Sequence, residues 1–483
     1  MDTVLIWLER DLRLGDNPVL DAARREFDRL LPVFLWNNAL ATETGAAARW
    51  WLHHSLAALE RRLAAAGSRL LIQHGEPAPA LVVLAQQSGA RSVWWNDRTE
   101  PGAAARADQV RAVLEAQGIA TRVFTPDLLH APDTLRAGTG HPYRVFTAFW
   151  RASLREATAP PPLPTPHRLP PVPEQLDSVP LESLRLRPPT PWDTGLAETW
   201  QPGEREAMRR LRAFSQTGLA HYPERRERPA ETGTSRLSPH LHFGEVSPRQ
   251  VVHAVRGAVE KTETPGVHTG ADAFVRQLYW REFAHYLLHN NPKSPEHPLD
   301  RRFEQFPWRD DPEALSAWRR GETGIPLVDA GMRELWHTGW MHNRVRMVVA
   351  SFLTKNLLIP WQKGAAWFLD TLVDADLANN TLGWQWTAGC GADAAPFFRV
   401  FNPVAQAQRY DPNGAYLRRW LPELAGLPSR WLPQPWSAPE SVARGAGIRL
   451  GETYPHPIVD LQMSRERALR AFERMRRQSK KKR

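Results

Sequence analysis

A chain of 483 residues has room for two or three domains with large buried cores. Its formal net charge of +10 and pI near 10.1 point to an anionic partner, nucleic acid first and an anionic membrane surface second. The one cysteine, Cys390, excludes an internal disulfide framework and fits a reducing compartment. No stretch approaches the roughly 18 apolar residues of a membrane span, and the first residues lack a secretory pattern.

The predicted elements alternate over the first 124 residues. Residues 3–8 read as a buried strand, followed by a polar loop and a helix at 18–27. A strand at 30–36, a helix at 46–66, a strand at 68–73 and a helix at 77–88 come next. A strand at 92–96, a helix at 101–117 and a strand at 120–124 complete the series. Strands alternating with amphipathic helices imply a parallel, doubly wound, Rossmann-like sheet of the α/β class. The strand ends at Trp36, Gln73 and Asn96 then border a ligand crevice. No glycine-rich phosphate fingerprint follows the first strand, which argues against a dinucleotide site in this half.

Residues 160–191 hold twelve prolines and almost no periodic apolar pattern, the signature of an extended connector on the surface. From about 200 onward the pattern is helical throughout. The expected organisation is an α/β domain over 1–130, a Pro-rich linker over 131–200, an all-α domain over 201–465 and a disordered basic tail over 466–483.

Chemistry concentrates in the helical half. Residues 374–403 combine Asp374 and Asp376, the carboxamides Asn379 and Asn380, and the indoles Trp384 and Trp386, beside a loop rich in Gly and Ala. Buried polar groups need partners, so the stretch is either a binding site or a core helix with a polar cap. On a helix the two indoles stand about 200° apart and face different neighbours. Upstream, Tyr222 precedes the run Thr234-Ser235-Arg236-Leu237-Ser238 at a helix start. Hydroxyls and free backbone N–H groups there suit a phosphate, and they suit a capping box equally well. A predicted helix over 271–289 puts Gln277, Trp280, Arg281 and Ala284 on one face, fit for a flat base or for an indole buried under an arginine. A predicted helix over 341–359 likewise aligns Asn343, Arg346 and Met347.

These strings, with Trp7-Leu8-Glu9-Arg10-Asp11-Leu12-Arg13 near the start, resemble the DNA photolyase/cryptochrome family over nearly the whole chain, closest to the class I cyclobutane pyrimidine dimer photolyases. Glu9 is not the family's usual residue there. The resemblance implies FAD in the helical half. Tyr222, Thr234, Ser235, Arg236, Leu237 and Ser238 would grip its pyrophosphate and ribityl chain. Gln277, Arg281, Trp340, Arg346, Asp374, Asp376 and Asn380 would surround the flavin, with Asn380 at N5 and Asp374 paired to Arg346. Trp384, Trp361 and Trp308 match the family's electron-relay triad. Gln277, Trp280, Asn343, Arg344, Met347 and Trp386 match its DNA pocket, and Arg399 a phosphate contact.

The resemblance further implies light-driven repair of cyclobutane dimers by a cytoplasmic, nucleoid-associated monomer acting on damaged DNA. A cryptochrome-type receptor, a (6-4) photolyase and a non-catalytic nucleic-acid binder are the rival readings. Only about 20 basic residues follow the last predicted helix, too few for a cryptochrome's signalling extension. Gly102 and Ala103 replace the family's folate-contacting pair, so a second, antenna chromophore is either absent or atypical.

Overall fold

The computed structural model describes residues 2–138, 140–156, 159–394 and 398–481. Five strands form one parallel sheet: β1 (Thr3–Leu8), β2 (Arg29–Trp36), β3 (Leu71–His74), β4 (Ser92–Asn96) and β5 (Ala120–Phe124). Their order is β3-β2-β1-β4-β5, with every neighbouring pair parallel. The chain therefore leaves β1 in one direction for β2 and later crosses back to lay β4 on its other side. That reversal makes the carboxyl ends of β1 and β4 a topological switch point, where a crevice opens. Continuous apolar side chains bury β1 on both faces, and Trp7 and Trp95 meet there with ring centroids 5.6 Å apart.

The predicted alternation holds, with small shifts at its ends. The third strand begins at Leu71, later than predicted, and a short helix, Asn38–Glu43, intervenes after β2 with Asn37 as its cap. The proline-rich segment does more than connect. Val172 and Leu176 lie in the core beside β1 and β2, and the backbone N–H groups of Leu169 and Val179 donate to Ala66 and Ile72. Leucines spaced between prolines are enough to anchor an extended chain on a sheet without any periodic pattern. The tail differs as well: a helix, Leu461–Lys481, runs through most of it, with Ala468, Ala471 and Met475 buried. Residues 482–483 lie outside the described residues.

The chain divides into two compact units. The first takes in the sheet, Ser235–Pro292 and Val373–Asp376; the second takes in His221–Thr234, Lys293–Leu372 and the chain from Leu377 onward. All five strands belong to the first. The second is built from helices around Trp318, whose indole N–H donates to Val349 O at 3.2 Å. Its Asp329 carboxylate accepts from Thr323 N at 2.7 Å, Gly324 N at 3.0 Å and Tyr454 Oη at 2.6 Å, tying the start of the Pro326–Thr338 helix to the C-terminal region.

Candidate active site

At the switch point of the first unit, the loops after β1 and β4 bring charged side chains to the wall of a cavity of about 50 Å³. Asn96 donates to Asp11 Oδ2 at 2.7 Å and to Asn17 Oδ1 at 3.1 Å, which fixes the loop before the helix that Asn17 caps. Arg98 pairs with Glu9 at 3.2 Å and Glu100 at 2.9 Å. Gly244 allows the closest approach here: at φ +64, an added Cβ would stand 2.0 Å from Arg10 O.

Asp376 reaches this cavity together with His242 and His285. Arg10 Nη1 lies 3.1 Å from His242 Nδ1. Guanidinium only donates, so that nitrogen accepts, and His242 is a neutral ring carrying its hydrogen on Nε2. Burial, reinforced by Arg10, pushes His242 down to about 4, in keeping with that tautomer. Its Nε2 has no hydrogen-bond partner among the described residues. His285 binds Thr99 Oγ1 through Nδ1 at 2.6 Å and turns Nε2 toward Asp376 Oδ2 at 3.3 Å. Burial alone would raise the Asp376 carboxyl, but the neighbouring imidazoles, His285 foremost, hold it well below the usual range. His242 stands farther off, at 3.7 Å, and its Nδ1 is already committed to Arg10. The carboxylate is thus kept as a negative charge although it is buried. Arg281, on the same cavity wall, donates to Asp127 O at 3.1 Å.

The run at 234–238 is not a capping box. Ser238 opens a short helix, Ser238–His242, whose cap position is Leu237 with no side-chain cap bond. Arg236 holds φ +51 and lies 5.8 Å over Trp200, while Ser235 Oγ accepts weakly from Leu237 N at 3.4 Å. The first backbone N–H groups of this helix are therefore left without a side-chain cap. Tyr222 is buried, with Arg226 5.3 Å over its ring.

On the Val267–Asn290 helix, Trp280 stacks flat on Phe146, 3.7 Å between centroids at 8°. One face of the indole is thus covered by a phenyl ring. Gln277 donates to Ala273 O at 3.1 Å, within its own helix. The helix predicted over 341–359 is Asn343–Ser351 followed by a π turn at Phe352–Asn356. Asn343 and Met347 meet on its surface, Nδ2 to Sδ 4.0 Å, and the Arg346 guanidinium donates to Met341 O at 2.7 Å and lies 5.9 Å over the buried Trp340. The Arg344 guanidinium is bound by Glu227 and covers the Tyr410 ring at 4.4 Å. Arg399 is exposed, 4.7 Å over Phe401.

The helix Leu377–Ala388 sorts its indoles as its period requires. Trp384 is buried against Phe368 at 5.0 Å and Trp318 at 6.2 Å, whereas Trp386 is half-buried and donates to Asp393 O at 3.1 Å. Gly364 makes room for Trp384: an added Cβ would stand 2.1 Å from the indole edge. Asn380 donates to Ala365 O at 3.1 Å. Trp361 is buried and Trp308 half-buried, against Phe306 at 4.5 Å, so oxidisable rings occur from interior to surface within the second unit.

Two family models match the chain: "DNA photolyase" over residues 4–167 and "FAD binding domain of DNA photolyase" over residues 274–474. The chain belongs to the DNA photolyase family. It is 44% identical to a deoxyribodipyrimidine photo-lyase of Agrobacterium fabrum, covering 97% of each protein. It is 39% identical to cryptochrome-1 of Arabidopsis thaliana, over 98% of this chain and 70% of that one. A crystal structure of a bacterial class III photolyase from Agrobacterium tumefaciens superposes with a TM-score of 0.95 at 43% identity, covering 99% of this chain and 98% of the other. The C-terminal half is therefore a photolyase FAD-binding domain, the fold and cofactor expected from its motifs.

Sequence reasoning missed Arg10, Glu100, His242 and His285 around Asp376, and Trp318 beside Trp384. His285 had a signal, since it follows Arg281 by four residues on one helix face. For the others, the partner lies far away in sequence and no local pattern marks it.

Proposed function

We propose that this photolyase-family protein is a deoxyribodipyrimidine photo-lyase that repairs cyclobutane pyrimidine dimers in DNA. When bound and reduced, FAD supplies on illumination an electron that opens the dimer and then returns. The residues proposed to hold it are Tyr222, Thr234, Ser235, Arg236, Leu237, Ser238, Gln277, Arg281, Trp340, Arg346, Asp374, Asp376 and Asn380. Among them, Asp376 keeps a negative charge in place through His285, Asn380 presents its amide, and the uncapped start at Ser238 receives phosphate. Trp384, Trp361 and Trp308 would pass electrons inward to oxidised flavin.

The lesion leaves the duplex to be bound. The residues proposed to meet it are Gln277 and Trp280 of the first unit and Asn343, Arg344, Met347 and Trp386 of the second, with Arg399 as a phosphate contact. The observation that carries the choice of lesion is the pairing of Asn343 with Met347 on one helix face. The (6-4) photolyases carry histidines at both places as proton donors, and neither an amide nor a thioether can serve in that way. The kinship with class I read from the motifs is a finer placement than the comparisons carry, and the similar Agrobacterium structure is described as class III.

The test is illumination of chemically reduced protein with oligonucleotides carrying each lesion separately. Restoration of the cyclobutane dimer alone is expected. The similarity to a plant cryptochrome keeps a receptor as the second reading, and repair of neither lesion would favour it.

A further inference from the structure

Lys355 is 3% exposed, in the π turn Phe352–Asn356. No carboxylate pairs with it among the described residues. Its ammonium donates to the backbone carbonyl of Arg399 and lies 4.5 Å over the Phe398 ring. One helical turn earlier, Ser351 Oγ accepts from Phe401 N at 3.2 Å. Side chains four residues apart share a face, so one face of this helix clamps residues 398–401 at two points, one of them the backbone of Arg399 itself.

A buried ammonium is costly, and an apolar side chain of similar length would fill the same space without that cost. What the amine holds therefore accounts for its presence. Burial pushes Lys355 down to about 7; the titratable groups acting on it are Cys390, whose buried thiol is pushed up to about 12 and stays neutral, and Arg399, whose charge lowers it further.

We propose that Lys355 is a positioning residue that fastens residues 398–401 to the helix and so presents Arg399 to the phosphate backbone of damaged DNA. The proposal rests on the reading of Arg399 as a phosphate contact. A carbonyl accepts most strongly from a charged donor, so the clamp is tighter with the ammonium than with the neutral amine.

The experiment compares Lys355→Met, Lys355→Gln and Arg399→Ala with the unaltered holoprotein. Three readouts are taken: hydrogen exchange at 398–401, affinity for a dimer-containing oligonucleotide between pH 6 and 8.5, and thermal stability at pH 6. In Lys355→Met, exchange should quicken and affinity should fall about tenfold, the scale of one charge-assisted hydrogen bond, while stability at pH 6 is kept or raised. Lys355→Gln keeps a neutral donor and should fall between. Unaltered protein should bind more weakly as pH rises through about 7, a step missing from Lys355→Met. A merely structural lysine would lose stability with affinity and leave no such step, and that result overturns the proposal. Unchanged exchange in Lys355→Met overturns it as well. If exchange quickens but neither Lys355→Met nor Arg399→Ala loses affinity, the DNA reading of Arg399 has failed. If Arg399→Ala alone loses affinity, the role of Lys355 has failed.

Discussion

His285 Nε2 lies 3.3 Å from Asp376 Oδ2, while Nδ1 of the same ring is fixed by Thr99 Oγ1 at 2.6 Å. The imidazole is thereby oriented from both sides and faces a carboxylate that burial alone would neutralise. Because the folded-state pKa of Asp376 is depressed, its contribution to stability is present above the ordinary carboxylate range and is lost only as pH falls through the depressed value. In His285→Leu the principal lowering influence is gone and burial raises the group instead. The ionised carboxylate then costs stability at neutral pH, by about 3–5 kcal/mol for a broken buried pair. The melting temperature of the variant should trail that of the parent most near pH 7 and approach it toward pH 4. A deficit independent of pH would contradict this role of His285.

Trp384 is buried between Phe368 and Trp318. Replacing it by Phe keeps an aromatic plate but removes an oxidisable donor. Photoreduction of oxidised FAD in Trp384→Phe should slow by an order of magnitude or more, whereas repair by chemically reduced protein should persist. Transient absorption of the flavin measures both, and unchanged photoreduction would mean that electrons enter by another route.

Gln277 donates to Ala273 O; as the proposed dimer contact it would present a neutral, weakly acidic donor. A protonated carboxylic acid is the stronger donor to a carbonyl that gains charge. Gln277→Glu should therefore raise the repair yield per absorbed photon, most at the acidic end of the working range where the acid is protonated. Equal yields at pH 6 and 8 in this variant would show that the side chain does not donate to the dimer.

Arg399 is exposed and Arg344 is held by Glu227. The two arginines should therefore differ in solution. Arg399→Ala should reduce the slope of log affinity against log salt by about one unit, whereas Arg344→Ala should change it little. Glu227→Gln frees the Arg344 charge and should steepen the slope. Titration of dimer-containing duplex at several salt concentrations reads all three, and a full unit lost in Arg344→Ala would show that DNA displaces Glu227.

Much of this protein was determined by its sequence alone. Apolar strands spaced by amphipathic helices dictate a parallel sheet, because each face must be covered and each crossover must span it. The helical period puts Trp384 and Trp386 on different faces, and packing against Phe368 and Trp318 makes Trp384 the buried one. Tertiary structure decided the rest, wherever a group's state depends on a partner that no local pattern names. Asp376 stays charged because His285, on a helix remote from it in the chain, stands beside it. Arg344 is neutralised because Glu227 reaches it, and Lys355 is buried because a loop carbonyl and a phenyl ring receive its ammonium. The leucines between the prolines of 160–191 show the same limit: burial there is set by the groove they fall into, which is built by residues a hundred positions away, as Val179 N on Ile72 O shows. Periodicity records which face of an element is dry. It does not record which charge will stand opposite, because that follows from packing between elements remote in the chain.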